Sequence, residues 1–556
     1  MSRANIMRAF NSRTGLLIGQ IALFTALLTA CGGSETTTTT SSTSVHPTPV
    51  EASRLLTQAT FGPTAEDINR LSVIGTDAWF SEQFNKPQKL HFVYMNAAQN
   101  TLPAGDELNE DQFFESFWQQ AINGDDQLRQ RVAFALSQIF VISYQNSTLA
   151  YNARGVANYY DTLGAYAFRN FRELLEAVTL HPMMGNYLNA LGNQKTAGTR
   201  VPNENYAREI MQLFTIGLRQ LNPDGSDTTA PATETYTSDD IKGLAKVFTG
   251  WSWAGPDKSS GRFYGWGVAD ENRDWLPMQN YPAYHETLEK TFLGATIPAN
   301  TSGEASLKIA LDTLFNHPNV GPFIGRELIQ RLVTSNPSPA YVGRVAAAFA
   351  NNGQGVRGDM KAVIKAVLLD AEAITPPLAD NNAGKLREPV LRLANWMRAF
   401  HAYSSSGRFQ MGSHDDPLWG LAQTPMRAPS VFNFYRPEYR PPNTNIAAAN
   451  RFSPEMQITE EMSVVGYLNF MRDTIQNGTG ISNDIKADYA AELALARTPE
   501  LLVDRVNLLL MQNQMSATLR SQILAAINSN PTNSDLNRVY LAVFLTMASP
   551  EYLVQK

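Results

Sequence analysis

The sequence predicts a mainly α-helical protein: a large multi-helix globular body with a small amount of β-hairpin and a long, ordered loop rich in tryptophan. Two observations predict the helices. From residue 53 onward, apolar residues recur at intervals of three and four, as they do in helices with one buried face. Residues typical of helix ends bound these stretches, such as Ser238 before one and Gly250 after it.

The predicted helices follow one another along the body. They cover residues 127–140, 171–178, 203–214, 238–248, 304–315, 321–334, 338–350, 358–370, 386–402, 456–473, 484–495, 498–512, 516–528 and 534–547. Asp224-Gly225 predicts a small hairpin between about Leu218 and Tyr236, and Arg262 to Val268 is a further candidate strand. No repeat of 33–47 residues is present, which argues against a helical solenoid.

The segment from Trp251 to Tyr284 predicts an ordered loop, because its tryptophans would be unusual in a disordered segment. Indole rings stack on sugar rings and other planar ligands. The candidate ligand-binding residues are therefore Trp251, Trp253, Trp266 and Trp275, with Arg387 as a further candidate and a polysaccharide as the candidate ligand. The alternative is that the indoles only cover the helical core. Beyond the loop, the prolines in 436–442 predict an extended surface segment.

Residues 1–30 have the three parts of a bacterial lipoprotein signal peptide. Three arginines precede a short apolar run, which is shorter than the roughly 20 residues of a membrane span. Leu28-Thr29-Ala30-Cys31 resembles the lipobox, in which the cysteine is acylated and the chain is cut before it. This predicts lipidation of Cys31 and a lipid bilayer as partner. Gly32 is not the Asp that signals inner-membrane retention, so in a Gram-negative cell the outer membrane is favoured.

Three regions are predicted: the signal peptide at 1–30, lipidated Cys31 with a Thr/Ser-rich tether at 31–50, and the helical body at 51–556, with a candidate sub-boundary near 285–304. Removing residues 1–30 takes the formal charge from −6 to −9. The acidic balance and the lack of a basic stripe argue against a nucleic-acid partner. Cys31 is the only cysteine, which excludes disulfides and cysteine-bound clusters in the body.

Several phrases together resemble the bacterial domain-of-unknown-function family 1800. They are RLLTQATFGP (54–63), RVAFALS (131–137), LLEAVTLHP (174–182), ENYARE (204–209), FTGW (248–251), LVTSNPSP (332–339), REPV (387–390) and SVFNFY (430–435). The resemblance runs from about residue 53 to the end of the sequence. It implies a large exported protein with no assigned reaction. It also implies an exported protein of the domain-of-unknown-function family 1501 as a candidate partner.

Candidate catalytic residues are found by residue type alone. Glu204 and Glu209 lie on the predicted helix 203–214, His181 follows an apolar helical stretch, and His285 follows the tryptophan-rich loop. Packing that brought these four together would make a divalent-metal site or a general base. The alternatives are a surface ion pair at the start of that helix and histidines that bind helix-end carbonyls. No zincin, serine-hydrolase or nucleotide-binding motif is present.

Two functions follow. The first is a cell-envelope binding or assembly factor that acts with an exported partner or a glycan. It rests on the lipid anchor, the tether and the tryptophan-rich loop. The alternative is a metal-assisted envelope hydrolase that uses carboxylates of the helix at 203–216 and a histidine. No cofactor is firmly implied by either function.

Overall fold

Helices make up 52% of the protein, and 25 of them lie in the described part of the chain, which confirms the mainly α prediction. The computed structural model describes residues 46–103, 105–266, 270, 272–376, 383–529 and 534–556. The predicted signal peptide, Cys31 and most of the tether lie outside the described residues. The first nine helices are α1 Pro49–Ala59, α2 Ala65–Ile74, α3 Thr76–Asn85, α4 His91–Gln99, α5 Glu110–Asn123, α6 Gln127–Ser137, α7 Ala153–Tyr166, α8 Phe171–Leu180 and α9 Pro182–Tyr187.

The next nine helices include most of those predicted from apolar periodicity in the middle of the chain. They are α10 Asn205–Gln212, α11 Ser238–Val247, α12 Ser260–Tyr264, α13 Gly303–Asn316, α14 Val320–Leu332, α15 Pro339–Ala350, α16 Met360–Leu368, α17 Ala371–Ile374 and α18 Pro389–Ala399. Side-chain caps set many of the starts. Thr237 and Asp240 form a capping box at α11, and Ser338 caps α15 ahead of Pro339.

The remaining helices are α19 Asn445–Ala448, α20 Glu461–Asn477, α21 Ala490–Leu493, α22 Pro499–Met511, α23 Ala517–Asn528, α24 Asp535–Ala548 and α25 Pro550–Leu553. Short 3₁₀ turns occur at Leu149–Tyr151, Pro454–Ile458 and Ile481–Asn483. In the described residues no helix is long and apolar enough to span a bilayer.

The strands of the described residues are short and form four two-stranded antiparallel sheets. The pairs are β1 Trp251–Ser252 with β2 Gln279–Asn280, β3 Lys290–Phe292 with β4 Ala295–Ile297, β5 Lys385–Leu386 with β8 Val554–Gln555, and β6 Tyr403–Ser404 with β7 Ile485–Lys486. The predicted hairpin is present as bridges joining Arg219 to Glu234 and Leu221 to Asp227.

Two local predictions were wrong. Arg262 lies in α12 rather than in a strand, and its guanidinium binds Asp257 and Asp270. The predicted helix over 484–495 is reduced to β7 and the one-turn α21. Asp484 accepts hydrogen bonds from the backbone of Ser406 and Gln410, so this stretch is held against the β6 segment. Long-range pairing therefore outweighs the local helical pattern.

Three helices form the centre of the body. All but one residue of α6 and all but one of α18 are buried, and most of α14 is buried with them. Helix α14 contacts α6, and α18 contacts α5 and α22. A helix buried around most of its circumference is normally apolar. These three are not, and their polar side chains define the site.

Candidate functional site

Two arginines join the ends of α6 and α14 reciprocally. Nη2 of Arg131, in α6, donates to the carbonyl of Arg331 near the end of α14, at 2.7 Å. Nη2 of Arg331 donates to the carbonyl of Gln138, which caps the end of α6, at 3.0 Å. The last carbonyls of a helix lack intrahelical partners and carry partial negative charge. Each buried arginine therefore stabilises the end of the other helix.

Carboxylates balance these buried cations. Glu327 Oε2 accepts from Arg331 Nη1 at 2.6 Å. Glu388 directly precedes α18 and accepts from Gln138 at 2.5 Å and Gln423 at 2.8 Å. Lys385, also buried, lies 3.1 Å from Glu455. These residues, with Arg131, form what we call the charged core.

The charged core holds its carboxyl groups in different states. Burial acts to raise the pKa of Glu388, but the charges of Lys385 and Arg131 and the two amide donors outweigh it and lower this pKa. Burial raises the pKa of Glu455 and of Glu327, against the opposing effects of Lys385 and Arg331 respectively. Of the three carboxyl groups, Glu388 is therefore the one that ionises most readily.

Several polar atoms in and beside the charged core have no hydrogen-bond partner within the described residues. They include Nε and Nη1 of Arg131, Oε1 of Gln138, Oε1 of Gln330, Nε of Arg331, Oε1 of Glu388 and Oε2 of Glu455. Buried polar atoms are normally hydrogen-bonded to protein or to ordered water. Their concentration here, next to an open cavity, is typical of a polar binding site.

A cavity of about 610 Å³ opens above the charged core, and we call it the arginine cleft. Its walls come from the end of α6, α14, the end of α10, the Arg219 hairpin and the segment 431–440. Its lining residues include Gln138, Leu218, Arg219, Phe323, Arg326, Glu327, Arg331, Val431, Phe432, Arg436, Glu438 and Arg440. A cavity of this size accommodates a ligand or a short peptide segment.

Positive charge dominates the arginine cleft, which has five arginines and two glutamates. Arg219 is paired with Asp227 at 3.3 Å and also with Glu438, and Arg326 donates to the carbonyl of Gly225. Arg436 and Arg440 differ. Their guanidinium groups lie over the rings of Phe432 and Phe452, at 4.9 and 4.6 Å from the centroids.

Neither Arg436 nor Arg440 has a carboxylate within 4.0 Å in the part of the chain that the structure describes. Both are exposed, and both are held by ring contacts rather than by an anion. Guanidinium groups in this state retain their donors for an acidic ligand.

Three of the sequence phrases that carry the family resemblance converge on the charged core and the cleft. Arg131 begins the phrase at 131–137. Glu388 belongs to the phrase at 387–390, and Tyr435 ends the phrase at 430–435. Burial, together with the charges of Glu388 and Glu455, raises the pKa of Tyr435 well above its ordinary value.

His181 lies elsewhere, in a buried capping position. Its Nδ1 accepts from the backbone of Met183 at the start of α9, and its Nε2 lies 3.1 Å from Asn158 Oδ1. Burial lowers the pKa of His181 to about 3. The imidazole is therefore neutral and uses both nitrogens in local hydrogen bonds.

His285 is also buried, with Nδ1 2.8 Å from the carbonyl of Thr249, and burial lowers its pKa. Glu204 is partly exposed and 3.6 Å from Arg208, as expected for an ion pair at the start of a helix. Glu209 is buried, its Oε2 has no partner among the described residues, and burial raises its pKa. In the described residues no group of three or more His, Cys, Asp or Glu side chains could hold a metal ion.

The tryptophans of the 251–284 segment differ in exposure. Trp251 and Trp253 are buried, and Trp275 is half-buried between Phe92 and Arg154. Trp266 is 70% exposed and stacks on Tyr264, with ring centroids 4.6 Å apart. Only Trp266 of the four thus presents most of its indole to solvent.

Arg387 contacts a different part of the protein from these tryptophans. It is buried over the Tyr552 ring at 4.6 Å, and its Nη1 donates to the carbonyl of Leu510 at 3.0 Å. These contacts tie β5 to the C-terminal helices. The guanidinium of Arg387 therefore already binds other groups of the protein.

A protein-family model described as "Protein of unknown function (DUF1800)" matches residues 54–554. The chain belongs to this family. No curated protein and no solved structure matches it. Membership of the DUF1800 family confirms the resemblance read from the sequence phrases, and it carries no reaction.

Sequence reasoning missed the arginine cleft. One signal was available: Glu327 and Arg331, four residues apart inside an apolar stretch, are an ion pair on a helix that the pattern predicts to be buried. A second was the segment 436–442, predicted as extended surface, whose first residues form a wall of the cleft. Its arginines alternate with prolines and aromatic residues.

Proposed function

We propose that this protein is a membrane-tethered binding factor of the cell envelope, and that its arginine cleft takes an acidic, partly apolar segment of an exported partner. The observation that carries the proposal is the pair of exposed arginines, Arg436 and Arg440, at the edge of a cavity of about 610 Å³ with excess positive charge. Acidic side chains complement these guanidinium groups.

The apolar part of the lining favours a peptide over an acidic glycan. Leu218, Phe323, Val431 and Phe432 contribute apolar surface beside the arginines. Apolar side chains of a peptide would bury this surface, whereas the hydroxyls of a polysaccharide would lose their hydration against it.

The place of action rests on the sequence at the N-terminus. Cys31 in its lipobox would be acylated and hold the body near a bilayer through the 31–50 tether, at the outer membrane in a Gram-negative cell. An exported protein of family 1501 is the candidate source of the acidic segment. Mass spectrometry of the peptide that contains Cys31 tests the acylation.

The test of the cleft uses detergent-solubilised full-length protein and a fluorescent octapeptide of alternating Glu and Phe. Arg436→Glu should weaken peptide binding about tenfold or more, because the substitution replaces an exposed guanidinium by a carboxylate that repels the glutamates of the peptide. Arg497→Glu is the matched control, since Arg497 is 86% exposed and does not line the cleft. Fluorescence anisotropy at two salt concentrations should show weaker binding at high salt.

Two outcomes would reject this proposal. One is equal peptide affinity of Arg436→Glu and wild type. The other is binding of polygalacturonate, an acidic glycan, without binding of the Glu-Phe peptide. An octapeptide of alternating Lys and Phe should not bind, which separates charge recognition from apolar adsorption.

One observation favours the hydrolase alternative: the buried Glu209 carboxyl with an unpartnered oxygen and a raised pKa, which are properties of a general acid or base. Its proposed partners His181 and His285 have Nδ1 in local hydrogen bonds. The alternative stays a prediction, and elemental analysis of the purified protein is its first test.

A further inference from the structure

A second concavity lies between the loop 411–420, helix α20 and the segment 478–483. It has a volume of about 730 Å³, and we call it the tryptophan groove. Trp419 lines it and is 80% exposed, more than any tryptophan of the 251–284 segment that the structure describes. An exposed large aromatic side chain beside a groove is a feature of ligand-binding surfaces.

The loop that carries Trp419 is rigidly held. Asp416 Oδ1 accepts from the backbone of both Leu418 and Trp419 at 2.8 Å, and Leu421 N donates to His414 O at 2.7 Å. The loop also packs directly on α20 at Gly466. A Cβ at that position would lie 2.3 Å from the carbonyl oxygen of Pro417. The indole is therefore presented on a fixed backbone, which lowers the entropy cost of binding.

The segment 478–483, which forms the opposite wall of the tryptophan groove, is also fixed by close backbone contacts. Ile481 N donates to the carbonyl of Gln410 at 2.7 Å, and Thr479 exchanges backbone hydrogen bonds with Ile485 at 2.8 and 3.0 Å. Gly480 has φ +82°, and a Cβ there would lie 2.6 Å from Gln410 O. The two walls thus share the 410–411 backbone as a common support.

The polar side chains of the groove suit hydroxyl groups. Asn469 and Asn483 are exposed amides on the floor and the far wall, and each provides both donors and an acceptor. His414 lines the groove with a buried Nε2 that has no hydrogen-bond partner in the described residues, and its ring contacts Phe470. Burial lowers the pKa of His414 to about 4, so its imidazole is neutral.

The groove carries no net charge, in contrast to the arginine cleft. Arg472 and Asp473 are the charged side chains among its lining residues, and they pair with each other at 3.1 Å. A charged ligand would find no complementary excess charge here. A neutral ligand with one flat apolar face and many hydroxyls matches the ring, the amides and the imidazole.

We propose that the tryptophan groove binds a neutral oligosaccharide whose pyranose rings stack on Trp419 while their hydroxyls hydrogen-bond to Asn469, Asn483 and His414. This site is separate from the arginine cleft, and the proposal does not depend on the function proposed for that cleft. β-1,4-linked sugars with equatorial hydroxyls present the flattest faces and are the preferred class.

The experiment titrates detergent-solubilised full-length protein with cellohexaose and with chitohexaose, followed by calorimetry and tryptophan fluorescence. Wild type should bind at least one of them. Trp419→Ala should weaken that binding about tenfold or more, and Trp419→Phe should retain more of it than Trp419→Ala does. Tyr151→Ala, which removes an exposed aromatic ring that does not line the groove, is the matched control and should bind as wild type does.

Three results would overturn the proposal. The first is no binding of either hexasaccharide at millimolar concentration. The second is equal affinity of Trp419→Ala and wild type. The third is Trp419-dependent binding of phosphatidylglycerol vesicles without saccharide binding, which would assign the groove to a lipid surface. Because Trp419 is mostly exposed, its substitution leaves the fold intact, and circular dichroism of each variant checks this.

Discussion

The arginine cleft rests on buried ions, whereas the tryptophan groove rests on close backbone contacts. Beneath the cleft, Arg131, Arg331 and Glu388 exchange charge-assisted hydrogen bonds with helix ends and amides. Beside the groove, Gly466 and Gly480 let two chain segments touch. The two regions are therefore sensitive to different substitutions. The arginine cleft is sensitive to the loss of a charge that balances the buried ions, and the tryptophan groove is sensitive to a side chain added at Gly466 or Gly480.

The largest expected effect is on the charged core. Glu388→Gln removes the carboxylate that balances Lys385 and Arg131, and leaves buried cations without compensation. We expect a loss of about 3–5 kcal/mol in the free energy of unfolding, measured by urea denaturation. Glu438→Gln is the control, because Glu438 is 52% exposed in its pair with Arg219 and should cost about 1 kcal/mol or less. Equal losses in both variants would show that the buried ions do not support the cleft.

The second effect concerns the groove. Gly466→Ala places a methyl group 2.3 Å from Pro417 O, so the loop carrying Trp419 must move away from α20. We expect a destabilisation of about 1–3 kcal/mol and a changed Trp419 environment in fluorescence. Gly343→Ala in α15 is the control. Its Cβ would lie 3.6 Å from the nearest atom, and the substitution should stabilise the helix by about 0.5–1 kcal/mol. A stable Gly466→Ala variant with unchanged fluorescence would contradict the close-contact account.

The third and smallest effect is on pH dependence. His414 has its pKa lowered to about 4 by burial, against the opposing charge of Asp415. As pH falls from about 6.5 toward 4, the unfolded chain takes up a proton that the folded chain does not, and stability falls. Between pH 7 and pH 5, His414→Gln should lose about 1–2 kcal/mol less than wild type in urea denaturation.

This comparison isolates His414 from the other buried histidines. His91, His181 and His285 also have pKa values lowered by burial, and all three remain in the variant, so their contributions cancel in the difference. Parallel stability curves for wild type and His414→Gln would show that the groove imidazole is solvated rather than buried.

The sequence predicted helices well where one face is apolar. Helix α13 was expected at 304–315 and lies at Gly303–Asn316, and α24 was expected at 534–547 and lies at Asp535–Ala548. It failed at 484–495, because the contacts of Asp484 with residues 404–410 are not visible in local periodicity. Helix starts were predictable because a single Ser or Thr caps them, as Ser534 does for α24.

The candidate site was less predictable, for a physical reason. The polar residues singled out from the sequence were histidines and glutamates, whose chemistry is familiar. The charged core uses Arg131, Lys385 and Glu455, more than 300 residues apart along the chain at the extremes, and only the fold brings them together. Trp419 was overlooked because it stands alone, whereas the four tryptophans of the 251–284 segment form a visible cluster that is mostly covered.

The end of α14 has a consequence for how the chain acquires its structure. The carbonyl of Arg331 accepts from Arg131 and Lys385, and the carbonyls of Leu332 and Val333 both accept from Gln555 at 3.0 Å. Gln555 itself lies in β8, which pairs with β5 beside Lys385. In a nascent chain that has not reached residue 555, the carbonyls of Leu332 and Val333 therefore lack these two hydrogen bonds. Contacts this distant in sequence also slow folding once the chain is complete.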